Sequence, residues 1–274
     1  MIVEKNGMVI RIEYQPQGLT YSEFAKVDRE CFPYEPGDEA QFQAFLAQDF
    51  WAAWDDEALA GYCSAFSKPT LFWIRRIGVA DSHRRRGIGR ELMSQALAHC
   101  REMGLGKAML YVQEDNTPAL SLYEAFGFGK AEITYQYLWE APFKSDFPGK
   151  GAAPVVKALP VDKTSETSMP ELPEQWGDFR AMHKPPGQYA LLFNDEQGEA
   201  IGYCRLSPGF PGCFPFSVNY PVVNLQGVLL ALRGYLLPEK DHLKLTLDDP
   251  ALAETCDTLG LRLNYKLYKM VRSI

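Results

Sequence analysis

Apolar and polar positions along the chain follow two rhythms, and together they mark out strands and helices in a recurring order. Residues 50–57 and 58–63 read as a strand, a polar turn and a second strand. Leu71–Val79 is a long apolar and aromatic run of the kind that pleats into a strand. After a polar stretch, Ile88, Leu92, Met93, Ala96, Leu97 and Cys100 recur near the spacing of a helix that buries one face. Lys107–Gln113 alternates again as a strand. Thr117 then suits an N-cap and Pro118 the first helical position. Residues 119–126 form that helix, Gly127 stops it, and residues 128–139 follow as a closing strand.

The same series occurs twice. Residues 189–196 and 198–204 repeat the hairpin, with Gly202, Tyr203 and Cys204 matching Gly61, Tyr62 and Cys63 at an offset of 141. Residues 248–261 repeat 115–128, with Gly260 opposite Gly127 at an offset of 133. Arg262–Val271 then alternates like residues 132–139. The chain reads as two copies of one unit, the second shorter by eight residues between these landmarks. Residues 141–153, rich in Pro and Gly, break every period and read as a linker between a first domain, 1–140, and a second, 154–274. Residues 162–173 read as an irregular surface loop.

The first copy carries chemistry between its long strand and its long helix. There the chain reads Arg84-x-x-Gly87-x-Gly89 and enters the helix through Arg90. The first N–H groups of a helix have no partner within it, and the helix dipole favours negative charge there. Glycine lets backbone approach a phosphate closely. The loop therefore suits an anion, although an ordinary strand-to-helix turn with solvated arginines has the same look. It lacks the Lys-Ser/Thr of a nucleotide P-loop, since Arg90 and Glu91 follow Gly89. It also lacks the third glycine of a dinucleotide fingerprint, since Leu92 stands there. A nucleotide module built on the arginines is thereby disfavoured.

The loop and the strand ending Ile77-Gly78-Val79 resemble the coenzyme A site of the GNAT superfamily of N-acetyltransferases. Val112, Asn116, Ala119, Tyr123, Gly127 and Phe128 resemble the second half of the same core, in the right order and about one βαβ unit downstream. The resemblance spans residues 8 to 140. It implies an α/β fold of two tandem GNAT-like domains, each a mixed, mostly antiparallel sheet flanked by helices. It implies that the backbone of Ile77, Gly78 and Val79 pairs with the pantetheine arm and the thioester of acetyl-CoA. The N–H of Ile77 or Val79 would then stabilise the oxyanion. Arg84, Arg85, Arg86, Gly87, Ile88, Gly89 and Arg90 would cradle the pyrophosphate, chiefly through backbone N–H groups. The arginine side chains would reach either the 3′-phosphate or solvent. Asn116 would either hydrogen-bond the cofactor or fix its turn. Tyr123 would be the general acid for the departing thiolate: a phenol near pKa ~10 can protonate a thiolate whose acid sits near ~8.5 and be recharged easily.

The general base stays open. A Glu commonly occupies the Tyr111 position in the branch that acetylates protein N-termini, and tyrosine is a poor substitute at neutral pH. Asp28, Glu30 and Glu35 are candidates for the acceptor groove, as is Tyr34 for contact with the acceptor. A water chain is the other route to a neutral amine. The second copy has no Arg-x-x-Gly-x-Gly, and Cys256 stands opposite Tyr123 and Asp249 opposite Asn116. It reads as a degenerate copy that shapes the acceptor site or a homodimer interface.

Composition sets outer bounds. With 46% apolar residues the chain can bury a full core, and no apolar run is long enough to span a bilayer. Six scattered cysteines and four histidines show no metal spacing, so reduced cysteines in a cytoplasmic protein are expected. The net charge of −7 argues against general nucleic-acid binding. Against it, Arg75, Arg76, Arg84, Arg85, Arg86 and Arg90 concentrate positive charge where a small polyanion such as coenzyme A would sit. The acidic remainder favours a cationic acceptor. The expected activity is direct transfer of an acetyl group from acetyl-CoA to a primary amine of a small molecule or peptide, no cysteine standing at an obvious nucleophile position. A non-catalytic acyl-CoA sensor or interaction protein is the rival reading.

Overall fold

The computed structural model describes residues 2–5, 8–141, 155–161, 179–209, 212–219 and 223–274. The linker beyond residue 141 and the loop at 162–173 lie outside the described residues. Two compact units are present, one of Met1–Ala131 with Lys269–Ile274 and one of Glu132–Tyr268.

The first unit contains β1 (Ile2–Lys5), β2 (Met8–Tyr14), α1 (Tyr21–Cys31), α2 (Glu39–Leu46), β3 (Asp49–Asp55), β4 (Ala58–Lys68), β5 (Leu71–Val79), α3 (Ile88–Glu102), β6 (Lys107–Gln113) and α4 (Thr117–Ala125). Strands β1 to β5 pair antiparallel in chain order, and β5 pairs parallel with β6. Thr20 and Glu23 form a reciprocal capping box that starts α1. Asp38 caps α2. Phe24 of α1 stacks on Phe42 of α2 at 4.9 Å and meets Tyr62 of β4 at 5.0 Å, so the two helices cover one face of the sheet. Ile88, Leu92, Met93, Ala96, Leu97 and Cys100 of α3 are all buried, as their spacing predicts.

The second unit takes up most of β7 (Gly129–Glu140) and holds β8 (Lys157–Pro160), β9 (Tyr189–Asn194), β10 (Ala200–Ser207), β11 (Gly212–Val218), α5 (Val223–Arg233), β12 (His242–Leu247), α6 (Pro250–Thr258) and the first part of β13 (Arg262–Ser273). Its strands run in the order β8, β9, β10, β11, β12, β7, with only β11 and β12 parallel. From β3 to β7 and from β9 to β13 the element order is identical. Each unit is thus an α/β fold with a mixed, mostly antiparallel sheet and flanking helices. Helix α5 begins at Val223, five residues ahead of the apolar run that starts at Val228.

The repeated glycines have matching causes. A Cβ on Gly61 would lie 2.7 Å from the Gly78 carbonyl oxygen, and one on Gly202 2.3 Å from that of Ser217. Each glycine lets a hairpin strand close on the next, pairing with Val79 and Val218 respectively. At the ends of α4 and α6, Gly127 and Gly260 take φ of 78° and 73°. Phe128 N–H then returns to the Tyr123 carbonyl at 3.1 Å, and Leu261 N–H to that of Cys256 at 3.0 Å. These are left-handed helix stops of the Schellman type. The spacing from Tyr123 to Phe128 is therefore a structural signature of how a helix ends.

Two features depart from the linear reading. Asn116 caps α4, its Oδ1 accepting Ala119 N–H at 3.2 Å, and Thr117 is already helical. The capping oxygen comes one residue earlier than Thr117 suggests. The compact units also exchange chain segments relative to a division at residue 140. Residues Tyr135–Glu140 of β7 pair with β12 inside the second unit, and Ile274 N–H donates to the Gly106 carbonyl at 3.0 Å inside the first.

No helix among the described residues is long and apolar enough to cross a membrane. All six cysteines are unpaired thiols, five of them buried. Among the described residues no cluster suits a metal ion.

Phe24 is fully buried at the centre of the aromatic cluster. Phe24→Ala is expected to cost about 3–5 kcal/mol of unfolding free energy, read from the denaturant midpoint.

Candidate active site

The cleft is set by how little β5 and β6 pair. They are in register only at Phe72 with Ala108 and Trp73 with Met109. Beyond those two residues β5 runs on to Val79 and β6 to Gln113 without further pairing to each other. On its other side β5 stays paired with β4 as far as Val79, and Ala80 N–H donates to the Ala60 carbonyl at 2.9 Å. Antiparallel pairing alternates, so the N–H and C=O of Ile77 and Val79 point away from β4 and into the gap. Those of Gly78 face β4. Gly78 is glycine for packing: a Cβ there would lie 3.0 Å from both Cys31 Sγ and Tyr62 Cε1.

Eight residues, 80–87, join β5 to α3. They begin as a single 3-10 turn, Asp81–His83. Glu30 Oε2 accepts Asp81 N–H at 2.9 Å, and His83 Nε2 lies 3.1 Å from Asp55 Oδ2, so α1 and the β3–β4 turn both fix the loop's entry. Arg84 pairs with Asp81 at 2.6 Å and donates through Nε to the Val79 carbonyl at 3.2 Å. Its charge is held at the base of the loop. Cys31 Sγ donates to the same carbonyl at 3.4 Å. Burial pushes the Cys31 thiol up from its ordinary value, and Arg84 offsets part of that.

Backbone handedness then alternates, with positive φ at Arg85 (64°) and Gly87 (88°) but not at Arg86. Such alternation turns successive N–H groups toward one side as an anion-binding nest. Gly87 is the N-cap of α3 and supplies no side-chain cap, so the first N–H groups of the helix face outward with the positive end of its dipole. The side chains of Arg85, Arg86 and Arg90 are exposed, and Arg90 stacks over Phe126 at 5.6 Å. Gly89 carries a milder constraint, because a Cβ there would make ordinary contacts with Val79 and Leu122 at 3.6 Å.

Helix α4 brings Tyr123 to this region. The residue is 7% exposed, packs edge-on to Phe128, and its hydroxyl makes no hydrogen bond among the described residues. Burial raises its pKa well above the ordinary phenol range, and Cys63 of β4 adds to the shift. Asn116 sits at the start of the same helix with its oxygen committed to the cap.

Sequence spacing leaves Asp28 open as a solvated acid or a base. The structure assigns it otherwise. Asp28 is fully buried, accepts from the Tyr62 hydroxyl and from Gly37 N–H at 2.5 Å, and pairs with Arg76 Nη1 at 2.6 and 2.8 Å. Arg76 donates onward to the Glu35 carbonyl at 2.6 Å and stacks over Phe32 at 4.4 Å. Burial opposes the Arg76 charge, but Tyr62 and Asp28 outweigh it and hold the guanidinium pKa above its usual value. This clamp fastens the segment between α1 and α2 to β5. It fixes Glu35 through its backbone and leaves Tyr34 85% exposed at the tip. Nothing in the sequence separates Arg76 from the other arginines nearby; only its burial does.

The second unit repeats the strand divergence without the loop. Strands β11 and β12 pair in parallel only at Gly212 with Lys244 and Cys213 with Leu245. Four residues, 219–222, replace the eight of the first copy before α5. Asp249 caps α6 as Asn116 caps α4, and Cys256 occupies the Tyr123 position. Phe216, Val218, Leu225 and Val228 are buried in one apolar cluster beside this divergence.

Residues 20–128 match the model of the acetyltransferase (GNAT) family. Among curated relatives, a mycothiol acetyltransferase of Corynebacterium glutamicum (strain R) is 31% identical over 147 residues, 44% of this chain and 50% of that protein. One from Thermobispora bispora is 44% identical over 61 residues, 22% of this chain and 21% of that one. The chain thus spans about half the length, or less, of these relatives. Among solved structures, a Pyrococcus horikoshii protein described as a putative acetyltransferase aligns over 99% of this chain and 91% of its own, with a TM-score of 0.67 and 15% identity. A tandem GNAT protein from the clavulanic acid biosynthesis pathway aligns over 96% and 98%, with a TM-score of 0.65 and 14% identity. These likenesses show that the chain shares the fold of those structures.

Arg76→Met would leave the Asp28 carboxylate buried and unpaired, at a cost of about 3–5 kcal/mol. Adding Asp28→Asn should recover part of that loss in a double-mutant cycle read by chemical denaturation. Strict additivity would show that the two groups do not act as a pair.

Proposed function

We propose that the first unit, whose residues 20–128 match the acetyltransferase (GNAT) family model, binds acetyl-CoA and moves the acetyl group directly to a primary amine of a small molecule or peptide. The observation that carries this reading is the cleft with backbone groups of Ile77 and Val79 turned into it and an anion-shaped loop at its end. The nest at Arg85–Gly87 and the first turn of α3, Ile88 to Arg90, receive the pyrophosphate. Arg84 braces the loop from beneath, and Arg85, Arg86 and Arg90 add positive charge around it. The pantetheine arm lies along β5 as an extra strand and pairs with the gap-facing groups that β6 leaves open, apart from the Val79 carbonyl, which already accepts from Arg84 and Cys31. The N–H of Ile77 or Val79 faces the thioester oxygen. The amide nitrogen of Asn116 is left over from its cap for the cofactor.

In the reaction, the amine nitrogen attacks the thioester carbon, the C–S bond breaks, and Tyr123 gives its proton to the departing sulfur. Burial keeps that phenol protonated across the working pH range, as an acid requires. Asp28 is held by Arg76, and Glu30 supports Asp81. Glu35 and a water chain are the remaining routes for removing the ammonium proton. The name of the curated relatives, mycothiol acetyltransferase, supports a small molecule as acceptor. The second unit, with its shorter loop and Cys256 in place of the acid, binds no cofactor in this reading.

Calorimetric titration of the full chain with acetyl-CoA is expected to show one site per chain, and silence at high micromolar cofactor would sink the reading. Gly87→Val forces a β-branched residue into left-handed backbone and should weaken that binding at least about tenfold. Thiol release over a panel of amines separates transfer from a silent sensor. Tyr123→Phe should lower kcat by about a hundredfold or more with the acetyl-CoA Kd little changed. Because the Tyr123 pKa is displaced upward, kcat should hold its plateau through the ordinary tyrosine range as pH rises. An alkaline fall near pH 10 would mean that an unperturbed phenol is the acid.

A further inference from the structure

Coenzyme A carries a second charged group besides its pyrophosphate, a 3′-phosphate on the ribose. With the pantetheine arm laid along β5 from the nest, the nucleotide half falls to the surface around the first turn of α3. Four arginines stand there, and their surroundings separate them. Arg84 is committed to Asp81 at 2.6 Å and to the Val79 carbonyl at 3.2 Å. Arg86 already has a partner of its own. Arg85 is exposed, and its role lies in its left-handed backbone, which shapes the nest.

Arg90 differs from all three. It is the third residue of α3, about 3 Å along the axis from Ile88. Its guanidinium stacks over the Phe126 ring at 5.6 Å. Phe126 is half-buried at the end of α4. One turn earlier on α4, Leu122 comes within 3.6 Å of where a Cβ on Gly89 would lie. These two contacts set the end of α4 beside the start of α3. Stacking uses the face of a guanidinium and leaves its N–H edge free for a bidentate anion. A ring that already restrains the side chain also lowers the entropy lost when that edge captures a ligand. The acid in the first turn, Glu91, accepts from Gln95 Nε2 at 2.8 Å, one turn along the helix. Among the described residues Arg90 pairs with no acid, and Phe126 is its one side-chain contact of this kind.

We propose that Arg90, laid flat on Phe126, takes the 3′-phosphate, and that this pair makes the first unit distinguish coenzyme A from its 3′-dephospho form. This rests on reading the first unit as a coenzyme A site. The arginine-rich loop then divides its work: backbone N–H groups hold the pyrophosphate, Arg84 braces the loop, and Arg90 reads the second phosphate from the helix.

Coenzyme A and 3′-dephospho-coenzyme A differ only in that phosphate, so calorimetric titration of the full chain with each isolates the claim. The native chain should bind coenzyme A about tenfold tighter, the scale of one charge-assisted contact. Arg90→Gln should erase that ratio while dephospho-coenzyme A binding stays near its native value, which also shows that the variant is folded. Arg90→Lys keeps the charge without the flat fork and should retain part of the ratio. Phe126→Leu should lower the ratio with the arginine intact. Arg101→Gln removes the same charge at the other end of α3 and should leave the ratio as it is. The proposal is overturned if the native chain binds the two molecules equally, if Arg90→Gln keeps the ratio, if Phe126→Leu leaves it untouched, or if Arg101→Gln lowers it as far as Arg90→Gln does. Failure of the native chain to bind either molecule would instead count against the coenzyme A reading itself.

Discussion

Two residues of parallel pairing govern the first unit. Had β5 and β6 stayed in register along their full lengths, every backbone group between them would have been satisfied internally and there would be no cleft. Because pairing stops at Trp73 and Met109, the sheet keeps an unfinished ladder in its interior. Buried backbone polar groups demand partners, so this arrangement favours an extended guest with amides of its own. The rest of the unit serves that opening. The β4 pairing orients Ile77 and Val79, Gly61 and Gly78 let neighbouring elements approach β5, and the Asp28–Arg76 clamp holds the segment after α1 against it.

The second unit shows what the same backbone does without the loop. It keeps the brief parallel contact, the left-handed helix stop and the helix cap, yet it lacks half of the strand-to-helix connection and buries apolar side chains beside the divergence. Divergence between strands is therefore a property of the fold, whereas the eight-residue connection with positive φ at Arg85 and Gly87 belongs to the first copy.

Local chemistry made much of this legible in advance. Leu71–Val79 and Lys107–Gln113 are strands over those bounds, since apolar runs and turn residues delimit them. Gly127 and Gly260 mark helix stops because only a residue without Cβ takes left-handed backbone cheaply. Features that depend on partners far along the chain were not legible. Asp28 looks like any surface acid until Arg76, forty-eight residues later, is seen against it. Trp73, Phe66 and Tyr111 read as strand formers, and only the register of three strands makes them one surface. The cap at Asn116 in place of Thr117 reflects two adjacent polar residues competing for one role.

The exchange of closing segments has a consequence for how the protein is made. Residues 269–274 complete the first unit, and Ile274 reaches back to Gly106. A growing chain emerging from the ribosome can assemble β1 to β6 early, but it holds that sheet edge uncovered while the whole second copy is synthesised. Loop closure over so long a span is slow, and an open strand edge invites pairing with the wrong chain. Until residues 269–274 are in place, the first unit has its strand-to-helix loop but lacks the segment that completes its sheet.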